Sequence, residues 1–260
     1  MDTELGQASV PQAERERVLS GERPVRIAAV GDLHARLDRP GRLRRALREV
    51  NDEADLLLLA GDLTDQGLLE EAEMLMDELS VVRVPKVAVL GNHDHEQGKA
   101  AELAHLLARG GVRVLDGDVY VFDNRVGIAG VKGFGGGFDG ATLEPWGEQI
   151  VKQFVLEAVN ESLKLETALA RVRQFDKRIA LMHYAPIHQT IVGEEPEIVP
   201  FLGCSRLSEP VDKFAATLAI HGHAHRGQLT GQTPRGRPVY NAAMELLVER
   251  TGRRFLVLEV

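Results

Sequence analysis

The chain has 260 residues, 44% hydrophobic and 27% charged, with a formal net charge of −8 and a single cysteine, Cys204. That length supports a core of its own in one or two domains, and the acidic balance argues against a general binder of nucleic acid or anionic membrane, though a local basic cleft stays open. The lone cysteine excludes an intrachain disulfide and a thiolate-rich zinc site, and it fits a reducing compartment.

Residues 1–24 are polar and lack periodicity, so a frayed arm is expected there, with one domain over 25–260. The arm has no apolar signal-peptide core. No apolar run reaches the ~20 residues that span a bilayer, so a cytoplasmic protein with no membrane partner is expected. "VRIAAVGDLH" (Val25–His34) reads as a buried strand ending in a turn. A helix follows with Leu43, Leu47 and Val50 on one face, and Pro40 near its start suits a helix N-terminus. "DLLLLAGD" is a second strand, and the next helix carries Leu68, Ala72, Leu75 and Leu79 on one stripe. "KVAVLGNHD" is a third strand, and "KAAELAHLLARGG" a third helix closed by glycine. This alternation predicts a largely parallel sheet.

Short strands come next, "VRVLDGD", "VYVFDN" and "RVGIAGVKG", with Asp123-Asn124 as the hairpin turn. "FGGGFDG" lacks the Gly-Lys-Ser/Thr ending of a phosphate loop and reads as a flexible rim loop. A long helix is predicted within Pro145–Phe175, with Val151, Val155, Ala158, Leu165, Leu169 and Val172 on one stripe interrupted by Ser162. Core packing explains the stripe; its near-heptad spacing also leaves a homo-oligomer helix or a lid open. "KRIALMHYAP" is a strand, Ile187–Ser205 an irregular loop, and "RLSEPVDKFAAT" a short helix. "LAIHGHAH", "PVYNAAMELLVE" and "RRFLVLEV" are read as the closing strands.

Several strands end alike. An apolar run stops, and Asp, His or Asn stands in the turn after it: Asp32 and His34, Asp62, Asn92 and His93, His183, His223 and His225. Open α/β sheets bind ligands beyond the carboxyl ends of their strands, so these turns are expected to share a site. Glycine before Asp32, Asp62, Asn92 and His223 permits a sharp turn and a close backbone approach. Taken singly, Asp after Gly is a common turn residue, and a lone His183 reads as a hydrogen-bonded core histidine. Their joint occurrence carries the inference.

The order D-x-H, G-D, G-N-H-D, H, G-H-x-H, running from Asp32 to His225, resembles the calcineurin-like metallophosphoesterases. The resemblance implies a four-layer α-β-β-α sandwich of two mixed sheets with two metal ions at one end. It implies Asp32, His34, Asp62 and His225 around one ion, and Asp62, Asn92, His183 and His223 around the other, with Asp62 bridging. A set of imidazoles, carboxylates and an amide oxygen without sulfur suits transition metals, Mn, Fe or Zn foremost, rather than Ca or Mg alone. Two such ions ~3.5–4 Å apart can hold a hydroxide for in-line attack on a phosphoryl group. The site then keeps about one positive charge, which draws a phosphate into an acidic protein.

The resemblance makes His93 the general acid, a role worth ~10²–10⁴ in rate. "GDLTDQG" resembles the protein-phosphatase block whose second aspartate, here Asp65, orients that histidine; Gln66 replaces the arginine found there, which weakens the case for a phosphoprotein substrate. The expected function is hydrolysis of a small phosphate mono- or diester. A nuclease or cyclic-nucleotide phosphodiesterase is the alternative, and a non-catalytic scaffold the remaining one. His221 is expected to be buried and bonded to backbone, or to support a metal ligand from behind, with His95 and His105 exposed. Cys204 is expected as inert packing. His188 either touches substrate or is a loop residue, and Arg226 either contacts phosphate or is a solvated strand end. Asn241 is expected to fix a turn. Substrate choice is assigned to Gly133–Gly140 and Ile187–Ser205.

Overall fold

The structure, a computed structural model, describes residues 23–260. Of the arm expected over 1–24, residues 1–22 lie outside the described residues. The first sheet has the order β11-β1-β2-β3-β4, from β1 (Arg26–Val30), β2 (Leu56–Ala60), β3 (Lys86–Val89), β4 (Val112–Val114) and β11 (Leu256–Glu259). Strands β1 to β4 run parallel, and β11 lies antiparallel on β1. The second sheet has the order β5-β6-β7-β8-β10-β9. It comprises β5 (Asp118–Phe122), β6 (Val126–Gly130), β7 (Lys177–Leu181), β8 (Leu218–His221), β9 (Thr230–Gln232) and β10 (Pro238–Asn241). Its centre is parallel and both edges are antiparallel.

Strand alternation sorts the apolar side chains into layers. Ile27 and Ala29 of β1, with Leu56 and Leu58 of β2, face Ile128, Ile179 and Ile220 of the second sheet. Ala28 and Val30 point the other way, against α1 (Arg44–Glu53), α2 (Leu69–Leu79) and α3 (Ala100–Arg109) through Leu47, Leu75 and Leu103. The outer face of the second sheet packs on α4 (Gln149–Arg171) through Leu165, Ala168 and Leu169. The layers run helix, sheet, sheet, helix, as the resemblance implied. The α4 stripe is core on this face. Among the described residues no helix is long and apolar enough to cross a membrane.

Several sequence expectations need correction. Helix α1 starts at Arg44, not near Pro40, because its first turn is held from outside: buried Glu78 of α2 accepts hydrogen bonds from the backbone N–H groups of Gly41, Leu43 and Arg44. The "NAAMELLVE" run is not one strand. Beyond β10, Asn241 Oδ1 accepts the N–H of Ala243 at 3.1 Å, and α7 (Met244–Thr251) follows, ended by Gly252 at φ 71°. A short apolar run does not distinguish strand from buried helix by period alone. The glycine-rich stretch is packed rather than a flexible rim: residues 135–138 are buried, and Gly136 and Gly137 donate to Pro200 and Gly203 carbonyls. Two short helices, α5 (Val199–Leu202) and α6 (Ser208–Lys213), shape the loop beside it. The Asp123-Asn124 turn forms with both residues at φ 51°, the geometry of a tight hairpin.

Candidate metal centre

All five sequence blocks lie just past the carboxyl ends of parallel strands, three in the first sheet and two in the second. The sheets are tied together there. Gly31 N–H donates to Ala242 O, and Met244 N–H to Gly31 O. Four site residues sit in the left-handed region, Asp32 at φ 56°, His34 at 42°, Asp62 at 47° and His223 at 71°. Non-glycine residues are strained in that conformation, and such strain clusters at functional sites. Gly91 shows how close the turns approach: a Cβ there would lie 2.1 Å from Asp62 Oδ1 and 2.3 Å from Asp62 N.

Asp32, His34 and His225 place ligand atoms within 4.8 Å of one another, and so do Asp62, His183 and His223. Asp62 reaches toward both groups: Oδ1 is 3.4 Å from His183 Nε2, and Oδ2 is 3.9 Å from His34 Nε2. Asn92 Oδ1 lies 2.8 Å from His183 Nε2, which puts it beside the second group. All the residues expected as ligands are therefore brought together.

Backbone carbonyls orient the rings. His183 Nδ1–H donates to Ala60 O at 2.9 Å, leaving Nε2 toward Asp62 and Asn92. His223 Nε2–H donates to Phe201 O at 3.2 Å, leaving Nδ1 as the unprotonated nitrogen. His225 Nε2 contacts Asp32 Oδ1 at 3.0 Å, and its Nδ1 is 3.5 Å from Glu245 Oε2. Such outer contacts fix the tautomer of a ligating histidine.

The charges fit a cation. Asp62 is pushed up to about 9, first by burial and then by the neighbouring Asp32 and Asp94 carboxylates. Burial holds His183 well below the ordinary imidazole range and lowers His223 to about 3. His183 Nε2 therefore turns a lone pair toward two oxygens, an unfavourable arrangement that a bound cation reverses. Both His34 nitrogens are shielded from solvent and lack a hydrogen-bond partner. For His225 burial lowers the pKa, but the bond and charge of Asp32 outweigh it and raise it overall.

His93 and Asp65 stand beside this cluster. His93 Nδ1–H donates to the backbone carbonyl of Asp65 at 2.6 Å, and its Nε2 is 3.9 Å from Asp62 Oδ2. The Asp65 carboxylate lies 3.4 Å from His34 Nδ1 and 3.6 Å from Arg36, with an oxygen within 4.8 Å of a His93 ring nitrogen. The hydrogen bond from His93 goes to the Asp65 main chain, with the carboxylate beside both His34 and His93.

The remaining histidines lie apart. His221 is buried, with Nδ1–H donating to Gly222 O at 2.7 Å and Nε2 contacting Thr190 Oγ1 at 2.8 Å. The strand β8 ends at His221, and His223 beyond it is in the left-handed region at φ 71°. His95, His105 and His188 are exposed. Arg226 is exposed and pairs with Glu195 at 3.3 Å. Asn241 Nδ2 donates to Ala224 O at 2.7 Å, bracing the turn between His223 and His225. Cys204 is buried.

The sequence reading missed Asp94 and the Ala60 and Phe201 carbonyls. Asp94, fully buried, accepts hydrogen bonds from the N–H groups of Leu63, Thr64 and Gly91 and from Thr64 Oγ1, so it locks the Asp62 turn to the Asn92 turn. Its place beside His93 in "GNHD" was the available signal. The Ala60 and Phe201 carbonyls had no sequence signal, since any residue supplies one.

A family model described as calcineurin-like phosphoesterase matches residues 25–227. A 3′,5′-cyclic-nucleotide phosphodiesterase of Nostoc sp. (strain PCC 7120) is 32% identical over 83 residues, which is 27% of this chain and 31% of that protein. The chain therefore spans about a third of the length of that relative. Among solved structures, the phosphopantetheinyl hydrolase of Mycobacterium tuberculosis superposes with a TM-score of 0.61 at 15% identity, over 90% of this chain and 95% of that one. TT1561 of Thermus thermophilus gives 0.55 at 14% identity, over 91% and 99%. At those identities the likeness is one of fold.

Proposed function

The chain belongs to the calcineurin-like phosphoesterase family, and from that premise we propose that it hydrolyses a small phosphate mono- or diester at a dinuclear transition-metal centre. The observation that carries this reading is Asp62, whose two carboxylate oxygens face the two histidine groups. Asp32, His34, Asp62 and His225 would hold one ion, and Asp62, Asn92, His183 and His223 the other. Mn, Fe or Zn would supply Lewis acidity and a water acidified to near neutral pH.

The protein's own groups do the rest. Ala60 and Phe201 carbonyls hold the lone pairs of His183 and His223 on the site. Asp32 accepts the N–H of His223 on both carboxylate oxygens, each at 3.0 Å, fixing the turn between the two sheets. With Nδ1–H bonded to Asp65 O, His93 presents Nε2 to the site. There it holds the proton that the departing oxygen takes up. Asp65, beside His34, is a positioning residue.

A cyclic-nucleotide diester is the second reading, favoured by the name of the Nostoc relative. The test of the first is turnover of p-nitrophenyl phosphate and bis-p-nitrophenyl phosphate with added Mn, Fe, Zn, Co or Ni. Metal-dependent release of p-nitrophenol from either ester supports it; no release from both with every metal contradicts it and favours a scaffold. Turnover of 3′,5′-cyclic AMP well above both esters selects the second reading.

A further inference from the structure

Aromatic side chains form a circuit that begins and ends at His223. Its ring centroid is 4.6 Å from Tyr184, Tyr184 is 5.8 Å from Phe134, and Phe134 is 4.8 Å from Phe154. Phe154 is 6.0 Å from Phe201, whose carbonyl returns to His223 Nε2. Exposure rises outward, from 8% at Tyr184 to 57% at Phe201. Ile150, one turn before Phe154 on the same face of α4, is 71% exposed. Tyr184 and Phe134 are packed in the core, and the exposed apolar surface is that of Phe201 and Ile150, with Phe201 adjoining the candidate ligand His223. Contiguous exposed apolar surface beside a site marks ligand contact rather than packing.

We infer that this aromatic ridge receives an apolar ester substituent of the substrate, so that the preferred substrate is an amphiphilic phosphoester with its phosphate at the metal centre and its apolar group across Phe201, Phe154 and Ile150. The inference rests on the proposed phosphoesterase function. Continuity with the site carries it: Phe201 both orients His223 through its backbone and presents its ring to solvent. The Phe154 and Phe201 rings, edge to face, offer contact area without hydrogen-bond groups, which suits an apolar substituent rather than the polar edge of a base.

The test compares p-nitrophenyl methyl phosphate with p-nitrophenyl octyl phosphate, which share a leaving group. Wild type is expected to show kcat/KM about tenfold higher for the octyl ester, a fraction of what full burial of the chain would give. Phe201→Ser is expected to bring the ratio to within about twofold of one. Ile150→Ser, at an exposed position where folding is not at issue, is expected to lower the ratio in the same direction. A wild-type ratio near one overturns the inference. A binding readout separates this from failure of the phosphoesterase reading. In a Trp146→Phe, Phe201→Trp variant the single indole reports on the ridge. A blue shift with octylphosphonate and none with methylphosphonate supports the ridge even if neither ester is turned over. No shift with octylphosphonate overturns it. So does a red shift of that indole on removal of residues 1–22 alone, which would make the occupant a segment of this chain.

Discussion

Asp62 concentrates the tension of the site. It is buried, held at φ 47°, faced by Asp32 and Asp94, and shared between two groups of histidines. Removing its charge should relieve the metal-free protein while abolishing metal uptake at the shared position. Asp62→Asn is therefore expected to melt higher than wild type in chelator and to bind no more than one ion, read by thermal denaturation and elemental analysis; a lower melting temperature in chelator would refute the strain argument. His93 carries a different expectation. His93→Ala should keep its metal and lose about 10²–10⁴ in kcat on the better nitrophenyl ester. Unchanged kcat would remove His93 from the chemistry. The ligand-type residues were legible in the sequence because each follows a glycine or a strand end in a recognisable order. Their supports were less so: Ala60 and Phe201 act through carbonyl oxygens, which no side-chain pattern reveals.

At the scale of elements, tight turns and one long helix hold the site. Gly91 lets β3 turn against Asp62, where a Cβ would overlap the carboxylate and its backbone nitrogen. Gly91→Ala is expected to destabilise by about 1–3 kcal/mol, the usual cost of overpacking, and to lower metal occupancy. Gly140→Ala, with nothing within 4 Å of the added Cβ, is the control expected to change neither. Calorimetry and metal analysis of the pair read the difference. Helix α4 is anchored by buried Glu161, which accepts Gly133 N–H and Lys164 Nζ at 2.7 Å each. Glu161→Ala should cost about 1.5–3 kcal/mol in urea denaturation, the range for hydrogen bonds to a charged group; a cost near zero would show that the loop holds itself. Strands and helices with strong periods, β1 to β3 and α1 to α4, were readable from apolar spacing. Helix α7 and the packing of the glycine-rich loop were not, because the first is a short apolar run and the second depends on backbone contacts with residues 200–205.

The whole molecule brings two sheets to one end and gathers acidic and imidazole groups there. Its stability without metal should record this. A carboxyl raised to about 9 keeps a proton that the unfolded chain loses near ~4, so the stabilisation it gives is lost as pH climbs toward 9. His183 and His223, held neutral by burial, act oppositely, but only below their ordinary value of ~6.5. In chelator the melting temperature should therefore fall from pH 7 to pH 9, and Mn should reverse the fall by binding the folded state. A melting temperature that rises over that interval in chelator would contradict the assignment of Asp62.

The family order of the five blocks made the two-sheet fold legible, while the meeting of β1 to β3 with β7 and β8 needed the structure. The most direct test of the account is the metal content of the purified protein and of Asp62→Ala, measured by elemental analysis after incubation with Mn, Fe or Zn and removal of excess. About two ions per chain in wild type, and loss of both in the variant, is the expected result for a bridging carboxylate. Wild type that takes up none, or a variant that retains two, would contradict it.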